Sequence, residues 1–151
     1  MVSHSFACRA FHPRAVPSSL RPIIQAHWHW RGWERLIEQA GITIDRPRHE
    51  PHPDYPRIIY PLDYGYVNGT RGTDGEALDV FVGTARTGLV GAILTTDYRQ
   101  HDREVKLLHD CDPKEVYTAH GFINFDRQVL EGLLVMRRPM HTLWEDATPP
   151  A

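Results

Sequence analysis

The spacing of apolar residues changes several times along the chain, and each change marks an element. In WHWRGWERLIEQA (28–40), Trp30, Trp33, Leu36, Ile37 and Ala40 recur at helical spacing, and Gly41 is a natural residue just past a helix end. ITID (42–45) reads as a short strand stopped by Pro47. RPRHEPHPDYPR (46–57) carries four prolines and no hydrophobic period, so it is predicted to be a loop. IIYP (58–61) resumes extended structure, DYGYVNG (63–69) alternates aromatics with turn residues, and GTRGTDGE (69–76) is a glycine-rich turn. ALDVFVG (77–83), LVGAILTTD (89–97) and EVKLLHD (104–110) read as strands, the last with clear alternation, and 98–103 as a polar turn. A helix is expected to start near Asp112 or Pro113, since proline suits the first turn. LLVMRRP (133–139) fits a final strand, and the tail beyond Pro139 carries no signal.

Short strands joined by turns, with helices at the ends, predict an α+β fold, mainly β: a small barrel with attached helices. Composition limits what such a fold does. With 41% hydrophobic and 24% charged residues the chain is ordinary for a water-soluble protein of 151 residues. No stretch reaches the roughly 18–20 apolar residues of a membrane helix, so no membrane partner is expected. A net charge of −2 does not call for nucleic acid. Cys8 and Cys111 lie far apart and outside any CxxC spacing, which argues against a disulfide framework or structural zinc and fits a reducing compartment, the cytoplasm.

The first 25 residues differ from the rest, with three arginines, four serines, three prolines and no acid. They resemble a transit peptide superficially but lack a continuous apolar segment. A disordered extension over 1–25 is expected, followed by one domain over 26–151.

The chemistry concentrates in DGEALDV (74–80). In the strand ALDVFVG, Leu78, Val80 and Val82 share one face while Ala77, Asp79 and Phe81 share the other. A carboxylate at Asp79, between apolar neighbours, is costly unless it is paired or binds a metal. Asp74 and Glu76 lie in the turn just upstream, and three carboxylates within six residues repel one another without a cation. Oxygen ligands of this kind suit Mg²⁺, with Mn²⁺ as a substitute, rather than zinc. The plainer alternative is a solvated acidic turn beside a strand residue bonded to a backbone amide. A second acidic group follows: Asp97 ends one strand, Asp102 lies in the turn, and Glu104 stands two residues before Lys106, on the same face. A carboxylate beside a lysine suits a surface shared by metal and phosphate; read plainly, it is a cross-turn ion pair worth under about 1 kcal/mol.

YPLDYGYVNGT (60–70) followed by DGEALDV resembles the soluble Mg²⁺-dependent inorganic pyrophosphatases, and in particular a short, divergent branch of that family. TTD (95–97) and EVKLL (104–108) resemble the family's next strand pair, and ITIDRP (42–47) the stretch around its phosphate-binding arginine. The resemblance spans roughly residues 42–108 and implies an OB-like five-stranded barrel with flanking helices. It implies metal ligation by Asp74, Asp79, Asp97 and Glu104, with Asp102 the alternative to Glu104. It places Glu76 where the family activates the attacking water, with Asp79 beside it in the catalytic group. Arg46, Tyr64 and Lys106 become binders of a small-molecule phosphate substrate, with Arg57 competing for the role of Arg46. The expected reaction is metal-assisted hydrolysis of diphosphate to two phosphates, and the family commonly forms homo-oligomers. Pyrophosphate is highly charged, so a nucleophile reaches it only when cations neutralise its oxygens.

The departures are specific. Glu76 stands for the usual Asp and Ala77 for the usual Pro; a longer arm shifts a general base by about 1 Å, which can cost on the order of a hundredfold in rate. The usual upstream strand is replaced by the helical WHWRGWERLIEQA, and no Tyr-Lys pair follows near the C-terminus, where Arg137 and Arg138 are the available substitutes, although two arginines ending a strand are more often simply solvated. These departures support an alternative: a catalytically weak protein on the same scaffold that binds metal and phosphate ligands. A third reading uses Tyr64 and Tyr66 to stack bases on an OB-like barrel, but the basic groove it needs is missing from the composition. His49, His52 and Asp54 form a tempting metal cluster in HEPHPD, yet alternating prolines do not hold the imidazoles on one face, and a rigid loop or lid on the substrate side is the preferred reading.

Overall fold

The computed structural model describes residues 30–70 and 78–147. In chain order the elements are α1 (Trp30–Ala40), β1 (Ile42–Arg46), β2 (Asp63–Val67), β3 (Asp79–Val82), β4 (Leu89–Asp97), β5 (Asp102–His109), α2 (Pro113–Ile123), β6 (Leu130–Met136) and α3 (Met140–Ala147). The strands form one sheet in the order β1-β2-β3-β5-β4-β6. Every pairing is antiparallel except β3 with β5.

The predicted mixed α+β class, mainly β, is what forms. The five-stranded barrel is not. Among the described residues the sheet has six strands and is open, with β1 and β6 at its edges. The difference lies in β6, which starts at Leu130, earlier than the expected 133, and pairs with β4 from Gly91↔Met136 to Asp97↔Leu130. A full-length partner on the outer side of β4 extends the sheet there. IIYP also differs from expectation: Ile59 makes only an isolated bridge to Pro51. The tail that carried no signal forms α3, which Leu143 anchors in the core at 0% exposure.

Local chemistry explains the other boundaries. Gly41, at φ 76°, ends α1 with its N–H donating to the Ile37 carbonyl at 2.9 Å. Asp112 caps α2 by accepting from the Glu115 N–H, the Glu115 carboxylate accepts from the Asp112 N–H, and Pro113 occupies the first turn.

The sheet buries both faces. On one, α1 brings Trp33 against Val67, Val80 and Leu107. On the other, α2 and α3 cover Tyr64, Phe81, Ile93 and Leu108. Val80 and Phe81 are adjacent in β3 and both fully buried, so this short strand reads as a continuous apolar run. Each such side chain contributes about 1.5–3 kcal/mol of burial free energy before entropy is counted. The face holding Phe81 and Leu108 also holds Asp79 and Lys106, two residues earlier on each strand. The apolar floor therefore gives way to charge within one strand step. No helix among the described residues is long and apolar enough to cross a membrane.

Candidate functional site

Strand register assembles the site. Asp79 pairs with Lys106 across the parallel β3–β5 ladder and with Tyr66 across β2–β3, while Tyr64 pairs with Phe81. Alternation puts Tyr64, Tyr66, Asp79, Glu104 and Lys106 on one face of the sheet. Lys106 Nζ donates to Asp79 Oδ2 at 2.9 Å, to Glu104 Oε2 at 2.8 Å and to the Tyr64 hydroxyl at 3.0 Å. The Tyr64 hydroxyl in turn donates to Asp79 Oδ2 at 2.6 Å. The ammonium has three donors, and all three are used.

Lys106 is only 8% exposed. Burial alone would push its pKa down, but Tyr64, Asp79 and Glu104 more than offset this and hold it above the ordinary lysine range. At neutral pH the phenol is uncharged, so the two carboxylates are what keep Lys106 an ammonium. Burial also raises the Tyr64 pKa; Lys106 opposes that rise and Asp79 adds to it, so the hydroxyl stays protonated and remains a donor. The ammonium end of the pair is enclosed while Glu104 keeps 37% of its side chain exposed, so only the lysine departs from the solvated cross-turn pair that the sequence also allowed.

Arg46 enters from the sheet edge. The β1–β2 register shifts between Ile44 and Arg46, so that Arg46 pairs with Tyr64. This requires β1 to lie very close to β2 at Gly65, where a Cβ would collide with the Thr43 carbonyl oxygen. The bulge sends the guanidinium over the rings of Tyr60 and Tyr64, at 5.4 and 5.8 Å, and its Nη1 donates to the Tyr60 hydroxyl at 2.7 Å. Burial works against the Arg46 charge, while Tyr60, Asp45 and Tyr64 raise its pKa overall. Arg57 is exposed in the loop.

The proline-rich loop closes on this aromatic group. The His49 N–H donates to the Tyr60 carbonyl at 2.7 Å, the Tyr60 N–H to Glu50 at 3.1 Å, and the His52 N–H to Ile58 at 2.8 Å. The His52 ring stacks on Tyr60 at 6.2 Å, and its Nδ1 accepts from the Asp54 N–H at 3.0 Å. HEPHPD is thus a folded loop that spends one imidazole lone pair on its own backbone.

Among the sequence candidates, then, the fold unites Asp79, Glu104, Lys106 and Tyr64, with Arg46 beside them. Asp97 shares their sheet face but sits opposite Asp102, whereas Glu104 sits opposite Thr95. That places Asp97 roughly 7 Å further along the strands than Glu104. Its Oδ1 accepts from the N–H groups of Arg99 and Gln100, so this oxygen closes the β4–β5 turn. Asp74 and Glu76 lie outside the described residues. Arg137 does not face the site: its guanidinium grips Glu34 on α1 at 3.0 Å. Tyr60 is the neighbour of Arg46 and Tyr64 to which sequence reading gave no role. The available signal was a tyrosine in an otherwise apolar IIYP, because a buried hydroxyl needs a partner.

Among the described residues no group of three or more His, Cys, Asp or Glu side chains is placed to hold a metal. The donor pair that is described still fits a hard divalent ion. Asp79 and Glu104 present carboxylate oxygens that already share one positive charge, within 2.9 Å of each. The position of the ammonium marks where a cation is stabilised.

Solved structures with similar chain paths include inorganic pyrophosphatases. The one from Coxiella burnetii shares 15% identity over 69% of this chain and 89% of its own, at a TM-score of 0.49. The one from Helicobacter pylori shares 15% identity over 70% and 89%, at 0.44. The one from Thermus thermophilus shares 20% identity over 70% and 84%, at 0.35. Likeness at this level assigns no residue a role. No family model and no curated protein matches the chain.

Proposed function

We propose that the chain is a Mg²⁺-dependent inorganic pyrophosphatase that adds water across the phosphoanhydride of diphosphate and releases two phosphates. The observation that carries this reading is the convergence of Asp79, Glu104 and the Tyr64 hydroxyl on one buried cation, with the Arg46 guanidinium alongside. An all-oxygen nest for positive charge, next to a half-buried arginine, is what a polyanionic substrate that arrives with a metal requires. When bound, Mg²⁺ supplies charge neutralisation and lowers the pKa of the water it holds.

This chain's own residues do the rest. Asp79 and Glu104 hold the metal, with Asp74 and Asp97 as the further candidate ligands. Arg46 and Lys106 bind phosphoryl oxygens, and their positive charge stabilises the negative charge that moves onto the leaving phosphate. Tyr64 fixes the orientation of the Asp79 carboxylate through its short hydrogen bond. Glu76 accepts the proton of the attacking water, and the bridging oxygen departs with the second phosphate. The weak-enzyme alternative rests on Glu76, whose extra methylene moves the base.

Phosphate release from pyrophosphate, with and without Mg²⁺, tests the reading. Wild type should turn over only with the metal, and Asp79→Asn should lose on the order of 10³-fold in kcat/KM, the scale of a deleted transition-state electrostatic contact. Equal, metal-independent rates in both proteins would overturn the enzymatic assignment. Calorimetric binding of pyrophosphate with Mg²⁺ but no turnover would favour the binding protein.

A further inference from the structure

We infer that Lys106 is the resident cation of the metal site: it competes with the divalent ion for Asp79 and Glu104, and is released toward the phosphate only when metal displaces it. This rests on the metal-dependent reading above and adds to it an antagonism inside the site.

The geometry supports the inference in three ways. First, the donors of Lys106 are fully spent. Its acceptors are Asp79, Glu104 and Tyr64, at 2.8–3.0 Å, so the ammonium has no N–H left for a phosphate oxygen. A lysine that binds substrate in this arrangement must first give up an acceptor. Second, the oxygens it holds, Asp79 Oδ2 and Glu104 Oε2, belong to the two described carboxylates that a metal at this site would use. A divalent ion placed there meets a positive neighbour at contact distance, which disfavours both. Third, the backbone cannot move to relieve the conflict. Lys106 is paired on both sides, to Asp79 of β3 and Ile93 of β4, in the interior of the sheet. Only its side-chain torsions are free.

Metal entry therefore takes two of the three acceptors and leaves the Tyr64 hydroxyl. The two released N–H groups are then available to an anion. Binding becomes ordered, metal before phosphate. In the metal-free protein the lysine keeps the carboxylates from repelling each other and is itself withheld from stray anions.

The chain offers an unusually clean test, because Lys106 and Lys114 are its only lysines. Mg²⁺ alone, titrated calorimetrically without phosphate, should bind Lys106→Met more tightly than wild type. The expected gain is about 5–150-fold, the usual range for coupling between two ligands. In wild type labelled with ¹⁵N-lysine, Mg²⁺ should shift the Lys106 Nζ resonance and speed its exchange with water, while Lys114 stays unchanged. This second readout stands even if the variant folds poorly. Wild type that binds Mg²⁺, together with a variant of equal or weaker affinity or a silent Lys106 resonance, overturns the antagonism and leaves the pyrophosphatase reading intact. No Mg²⁺ binding by either protein overturns both. Binding by the variant alone supports the competition and shows that the lysine wins in the wild type.

Discussion

Two ion pairs sit on opposite faces of the same sheet, and they are built for different ends. Arg137 and Glu34 form a two-pronged clamp, both contacts at 3.0 Å, between the end of β6 and α1. Their side chains remain 25% and 37% exposed. The clamp is geometrically complete and leaves nothing over: one guanidinium fork, one carboxylate, one helix held to one sheet edge. Lys106 instead draws its acceptors from three strands and is 10% exposed at the side chain. Burying an ammonium against two partly exposed carboxylates is a poor way to stabilise a fold, because its desolvation offsets much of the attraction and a well-packed apolar residue would do as well. The first pair is explained by packing. The second fits the metal site proposed for its oxygens.

The largest effect should come from breaking the buried cluster on its cationic side. Lys106→Met leaves Asp79 and Glu104 facing each other without a counter-charge. The cost in metal-free protein should be on the order of 3 kcal/mol, the low end for orphaning a buried charge, because the carboxylates keep some contact with water. Urea unfolding would show this as a lowered midpoint, with Mg²⁺ restoring most of the loss. A variant as stable as wild type without metal would mean that the carboxylates never depended on the lysine.

A middle-sized effect tests how the sheet delivers Arg46 to the site. Gly65→Ala drives a methyl group into the Thr43 carbonyl oxygen and to 2.9 Å from the Ile44 Cα, so β1 must move away from β2. The expected loss is about 2 kcal/mol of stability, the usual scale for overpacking. Because Arg46 reaches the site through the adjacent bulge, KM for pyrophosphate should rise several-fold as well. A stability loss with KM unchanged would separate Arg46 from substrate binding.

The same residues show how far the sequence could be read. Alternation in ALDVFVG and the i, i+2 spacing of Glu104 and Lys106 put the charged groups on one face, because a strand's period is local information. The Arg46 bulge depends on contact between β1 and β2 at Gly65, and Tyr60 becomes a partner only once the proline loop folds back; neither is written in a local period. β6 was short by three residues because Leu130, Glu131 and Gly132 have no distinctive pattern, and pairing with β4 decides them. α3 carries no local cue: a single buried leucine, Leu143, among its described side chains is a tertiary signal. Arg137 is a further case: two arginines ending a strand read either as stand-ins for phosphate binders or as solvated charges, and the Glu34 that α1 brings to one of them is a tertiary partner no local pattern announces.

The smallest effect belongs to that clamp, and it completes the contrast. Arg137→Met keeps an unbranched stem like that of the arginine, so most of the stem's packing survives while the paired charge is lost. Glu34, whose pKa the Arg137 hydrogen bonds hold below the ordinary carboxylate value, then returns toward that value in solvent rather than being stranded. Exposed pairs of this kind contribute about 0.2–1 kcal/mol, and this one lies at the upper end because both prongs are made. The folded-state pKa of Glu34 is depressed, so the contribution is present above its unfolded value and fades as pH falls toward the folded one. The wild-type advantage over Arg137→Met should therefore be full at neutral pH and shrink below about pH 4.5 in a thermal-melt series, with kcat and KM for pyrophosphate unchanged. A drop in kcat/KM of tenfold or more would mean that the two faces of the sheet are coupled.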